Sequence, residues 1–136
     1  SAASDVYKRQ IGNIAAGSLA ESDTVPSTIY MERPLGKNEY VVRVEGKSME
    51  PLIPDGSLVI MRRHTAPPIP KPGTIVEYND GRGVTLKKLI RRKNAETGKT
   101  EYVLQPINPA FKDITPMDGG SISGIYMETL VNYRKG

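Results

Sequence analysis

Apolar residues recur along this chain in short β-branched runs, several in two-residue alternation, and no long segment keeps the 3.6-residue period of an amphipathic helix. Six runs read as strands: Tyr40–Val44, Ser57–Met61, Thr74–Tyr78, Val84–Ile90, Glu101–Gln105 and Ile122–Leu130. Turn residues separate them at Pro54-Asp55-Gly56, Pro70-Lys71-Pro72-Gly73, Asn79-Asp80-Gly81 and Asp118-Gly119-Gly120. The run Asn79 to Gly83 reads as a hairpin connection. Ser18 to Pro34 is polar and weakly patterned, and is expected to be loop or linker. With 11 prolines and 13 glycines, the pattern predicts a mainly β protein.

At 136 residues and 38% hydrophobic content, the chain is long enough for one domain with a real core and short for two. It has no cysteine, which removes disulfides and thiolate metal sites; no cofactor or metal is expected. Its one histidine, His64, lies in a loop-like, proline-flanked run and reads as a solvated side chain rather than a catalytic base. No apolar stretch approaches the ~18–20 residues of a membrane span, and no signal-peptide pattern opens the chain. The expected setting is therefore cytoplasmic, with no membrane partner. The net charge is +4, with basic clusters at Arg62-Arg63 and Arg91-Arg92-Lys93. These read as solvated hairpin ends, since phosphate binding would need basic groups gathered on one face with helical or aromatic readers. This domain alone is not expected to be the part that reads DNA.

The first ten residues stand apart. Asp5-Val6-Tyr7-Lys8-Arg9-Gln10 back-translates to GAT GTG TAT AAG AGA CAG, the transposon-end string of transposase-built sequencing libraries. Residues 1–10 are therefore expected to be adapter-derived and non-native, with the natural reading frame continuing upstream of Ile11. An independent read of the locus that encodes Asp5 to Gln10 would remove this expectation. The remainder divides into a strand and linker at 11–34 and a folded domain at 35–136.

Three segments carry candidate chemistry. Gly46-Lys47-Ser48-Met49-Glu50-Pro51 is a tight turn that presents a serine. Val84-Thr85-Leu86-Lys87-Lys88-Leu89 puts lysine inside an apolar strand. A serine hydroxyl needs a base to become a nucleophile. Lysine serves only when neutral, which burial among apolar neighbours favours. Serine and lysine together form a known variant of the serine triad, and N–H groups around Lys47 and Ser48 can form an oxyanion hole. Alternation alone leans to Lys88, which shares its register with Val84, Leu86 and Ile90, over Lys87, which shares its face with Thr85 and Leu89. The third segment, Ile11-Gly12-Asn13-Ile14-Ala15-Ala16-Gly17, has the small residues that allow close approach to a nucleophile.

Taken in order, these segments resemble the LexA/UmuD family of self-cleaving Ser–Lys peptidases, which includes many phage repressors. Leu104-Gln105-Pro106-Ile107-Asn108 resembles the family's late Leu-x-Pro-x-Asn segment, and Gly124-Ile125-Tyr126 its closing strand. The resemblance covers roughly residues 11–131. It implies a LexA/signal-peptidase-like fold of twisted, partly barrel-like antiparallel sheets. It implies Ser48 as nucleophile and, because the family's lysine follows a Val-Thr-apolar triplet, Lys87 as base. The scissile bond becomes Ala16–Gly17, and the oxyanion hole the backbone of Lys47 and Ser48. It further implies a homodimer and cleavage prompted by a RecA–single-stranded DNA filament in an SOS or phage-type response to DNA damage. Two positions depart from the pattern: Lys47 stands where relatives often carry an acid, and Ser57 where the family's Asp-Gly-Asp has its second aspartate. Neither supplies nucleophile or base.

The leading expectation is the C-terminal domain of a LexA-like transcriptional repressor. The alternatives are a UmuD-like accessory subunit of a translesion polymerase and a catalytically silent binding domain of the same fold. A signal peptidase would need a membrane anchor, which is not seen.

Overall fold

The computed structural model describes residues 7–15, 27–65 and 67–135. Nine strands account for most of them: β1 (Tyr7–Ala15), β2 (Ser27–Met31), β3 (Glu39–Glu45), β4 (Leu58–Arg63), β5 (Ile75–Asp80), β6 (Gly83–Lys93), β7 (Thr100–Gln105), β8 (Ser121–Thr129) and β9 (Tyr133–Lys135). No helix occurs among the described residues. The strands form one sheet in the order β7-β6-β5-β8-β4-β3-β1-β2-β9. Every ladder is antiparallel except β1–β3, where Ile11 to Ala15 run parallel to Val41 to Glu45. The sheet curls far enough that β1 also meets β6, at the single parallel pair Ala15–Thr85. It is barrel-like without being closed.

All six strands expected from the pattern are present. The hairpin at Asn79–Gly83 is too, with Asp80 opposite Gly83 across the connection. The stretch 18–34, expected to be loop or linker, instead contains β2. Its alternate residues Ile29 and Met31 are 0% and 1% exposed and pack with Val41, Leu58 and Ile60. Burying two such side chains outweighs the polar composition around them. Tyr7 to Gln10 also pair with β2, opposite Met31 to Thr28.

The core lies on both sides of the sheet's centre. Val42, Val44, Met49, Ile53, Val59, Met61 and Leu86 form one cluster, while Ile29 and its neighbours form a second. This explains why Leu58, Val59, Ile60 and Met61 are buried in succession: alternate residues of β4 feed opposite clusters. A third cluster joins Val76, Tyr78, Leu89 and Leu104. Glycine is required at Gly124, where an added Cβ would collide with the Tyr40 hydroxyl; that hydroxyl donates to Glu77 at 2.6 Å.

Candidate active site

The β3–β4 connection carries Ser48, and its shape follows from a few local bonds. Gly46 turns the chain with a φ of 107°, a region that disfavours any side chain. Its N–H donates to Asp55 Oδ1 at 2.8 Å. The ends of the connection are tied by Val44 N–H to the Ser57 carbonyl and Gly56 N–H to the Val44 carbonyl, both 2.8 Å. Met49 and Ile53 are each fully buried in the first cluster, so the residue after the serine plugs the core. Ser48 itself is 0% exposed.

β6 brings Lys87 to the same place. The Lys87 ammonium also has no solvent exposure, and its Nζ lies 3.0 Å from Ser48 Oγ. It lies 2.8 Å from Thr85 Oγ1 and 3.1 Å from the Leu86 carbonyl, to which it donates. Desolvation pulls the Lys87 pKa down from 10.5 to about 8. A neutral amine at this position can donate to Thr85 and Leu86 while accepting from the Ser48 hydroxyl, the arrangement in which it can remove a proton.

Lys88, favoured by alternation alone, is only half-buried and makes no hydrogen bond to Ser48. Alternation misleads here because β6 is covered on both faces, with Thr85, Leu86 and Lys87 buried in succession. Lys47 is exposed at the surface of the turn. Ala16 and Gly17 lie outside the described residues. The strand leading to them is described, and its last residue, Ala15, pairs with Glu45 on one side and Thr85 on the other. Its two partners are therefore close in sequence to the pair: Glu45 is three residues before Ser48, and Thr85 two before Lys87.

Two residues of the site were given no role by the sequence. Thr85 was visible in principle, because a strand places residue i−2 on the face of residue i. Asn108 comes from the loop after β7: its Nδ2 donates to the Lys47 carbonyl at 3.1 Å and its N–H to the Ser48 carbonyl at 2.9 Å. His64 lines a separate, largely apolar cavity of about 550 Å³ with Tyr78, Leu89, Tyr102 and Ile122, and neither Ser48 nor Lys87 borders it. The basic clusters are exposed, as expected, with Arg63 over the Tyr40 ring, Arg91 over Tyr102 and Arg92 paired to Asp113.

No curated protein matches the chain. The family model described as Peptidase S24-like matches residues 9–124, a span that takes in β1 from Arg9 onward, the Ser48 turn, Lys87 and Asn108. The chain thus belongs to the Peptidase S24-like family of serine peptidases, the group of the self-cleaving LexA/UmuD proteins.

Proposed function

We propose that this chain is the regulatory C-terminal domain of a LexA-like or phage-type repressor, and that it cuts its own Ala16–Gly17 bond with Ser48 as nucleophile and Lys87 as general base. The observation that carries the reading is the fully buried Ser48–Lys87 pair at 3.0 Å, with the lysine pKa drawn down to about 8. Neutral Lys87 takes the Ser48 proton as Oγ attacks the Ala16 carbonyl. The tetrahedral oxyanion is held by N–H groups at Lys47 and Ser48. The proton then passes from Lys87 to the Gly17 amine as the C–N bond breaks, leaving an acyl ester on Ser48 that water hydrolyses.

The path of β1 supports an intramolecular substrate, because Ala15 already sits in register between β3 and β6. A tethered, oriented bond can see effective molarities of ~10⁵–10⁸ M. A slow dyad can therefore act on its own chain without threatening others. In this reading the domain is a homodimer in the cytoplasm, a RecA–single-stranded DNA filament favours the docked strand, and DNA is bound by an upstream helix-turn-helix domain.

The test is incubation of the purified chain from neutral to alkaline pH, followed by intact mass. Cleavage between Ala16 and Gly17 is expected, its rate rising through about pH 8 as Lys87 loses its proton. Ser48→Ala and Lys87→Ala are expected to stay whole. Continued cutting in Ser48→Ala would sink the assignment.

A further inference from the structure

The loop after β7 hydrogen-bonds the nucleophile turn through Asn108, whose amide can neither attack, protonate nor deprotonate a peptide. Asn108 spends all four of its hydrogen-bonding groups. Its Nδ2 donates to the Lys47 carbonyl (3.1 Å) and its N–H to the Ser48 carbonyl (2.9 Å). Its Oδ1 accepts from Ala110 N–H (3.0 Å) and its carbonyl from Phe111 N–H (3.1 Å). The last two bonds make the loop a rigid turn; the first two hand that rigidity to Ser48.

What they fix follows from peptide planarity. In a trans peptide the C=O and N–H point in opposite directions. Holding the Lys47 carbonyl toward Asn108 therefore aims the Ser48 N–H away from it. Holding the Ser48 carbonyl does the same to the Met49 N–H. Among the described residues neither of these two N–H groups donates to a carbonyl or side chain. The two peptide planes flanking Ser48 are thus set from one side by a single residue, and the buried Met49 side chain anchors the turn from another. Little rotation about the Ser48 backbone remains.

We infer that Asn108 is the positioning residue of this peptidase: it locks the Lys47–Ser48 and Ser48–Met49 peptides so that the Ser48 N–H faces the developing oxyanion while Oγ stays against Lys87. The inference rests on the peptidase reading above. Asn108 touches neither the scissile bond nor Lys87 in this role, and acts through the backbone of the turn. An amide suits the position because it supplies a donor to Lys47 and an acceptor for Ala110 from separate atoms of one short planar side chain, whereas an ionised aspartate has no donor to give.

The experiment is first-order self-cleavage of the whole chain as a function of pH, in wild type, Asn108→Ala and Asn108→Asp. Asn108→Asp is nearly the same shape and keeps the Ala110 bond, but has no donor for the Lys47 carbonyl. Mutational loss of one oxyanion donor slows catalysis by ~10²–10³; a donor left present but unlocked is expected to cost about 10- to 100-fold. Both variants should show that loss on the alkaline plateau, where Lys87 is neutral. In Asn108→Ala the midpoint of the pH profile should stay at the wild-type value. A merely structural residue would not produce that split.

Wild-type plateau rates in either variant would overturn the role. So would a loss in Asn108→Ala that comes wholly from a displaced midpoint, since Asn108 would then act through Lys87. A wild-type chain that is never cut, and whose Ser48 is not labelled by a fluorophosphonate at alkaline pH, overturns the peptidase reading itself. A wild type that cuts while Asn108→Ala keeps pace overturns the positioning role alone.

Discussion

Burying Lys87 without solvent access costs the fold stability whenever the ammonium is charged, and that cost has a pH signature. The unfolded chain holds the proton up to the ordinary value of 10.5, while the folded chain releases it at about 8. Between those values the unfolded state binds more protons, so folding stability rises with pH across that window. Below pH 8 both states are protonated and the penalty is fully present. A Lys87→Met chain lacks the penalty at every pH. Its stability advantage over wild type should therefore shrink by roughly 3 kcal/mol across the window, the equivalent of the shift at 1.36 kcal/mol per unit. Urea unfolding of the two proteins at matched pH values measures the difference, and a flat difference would mean that the lysine keeps an ordinary pKa. In the proposed dyad, catalysis and stability are opposed at this one side chain: the burial that would let the amine act as a base is also what makes it costly.

At the scale of elements, β2 and β6 show what a hydrophobic pattern reveals and what it hides. Ile29 is fully buried against Val41 and Leu58, so Ile29→Ala is expected to destabilise the fold by about 2–5 kcal/mol. A denaturation midpoint unchanged from wild type would show that β2 lies outside the core. The run Ser27-Thr28-Ile29-Tyr30-Met31 does alternate, but only two apolar residues mark its inward face, and polar residues surround it. β9 offers less still: three exposed residues with no inward face. The six central strands were legible because each carries several β-branched or aromatic residues between turn residues, and their ends shift by at most three residues.

The dyad itself was partly legible. A serine on a glycine-led turn and a lysine in an apolar run are visible as chemistry. Which lysine lies against Ser48 was not, because strand parity loses its meaning once both faces are covered, as they are from Thr85 to Lys87. The family resemblance pointed to Lys87, and it is Lys87 whose Nζ lies 3.0 Å from Ser48 Oγ. Asn108 was quoted as part of a motif but could not be given a job. Its partners are backbone carbonyls some sixty residues away in the chain, and no residue type at Lys47 or Ser48 announces that its carbonyl needs a donor.

For the whole molecule, the decisive feature is that β1 is a member of the sheet rather than an arm laid over it. Tyr7 to Ile11 pair with β2 and Ile11 to Ala15 with β3, while Ala15 alone reaches β6. A cut between Ala16 and Gly17, as proposed, would put β1 in one product and all three of its pairing partners in the other. The products would then remain joined by the ladders that joined them before. Intact mass under denaturing conditions should show two pieces, while native mass or gel filtration shows one particle of unchanged size; separation on the native column as soon as the bond is cut would contradict this. The scissors and the latch are therefore different parts of the machine. Ser48 and Lys87 would decide when the chain is nicked, but how long β1 lingers in its slot would decide when anything attached upstream is let go.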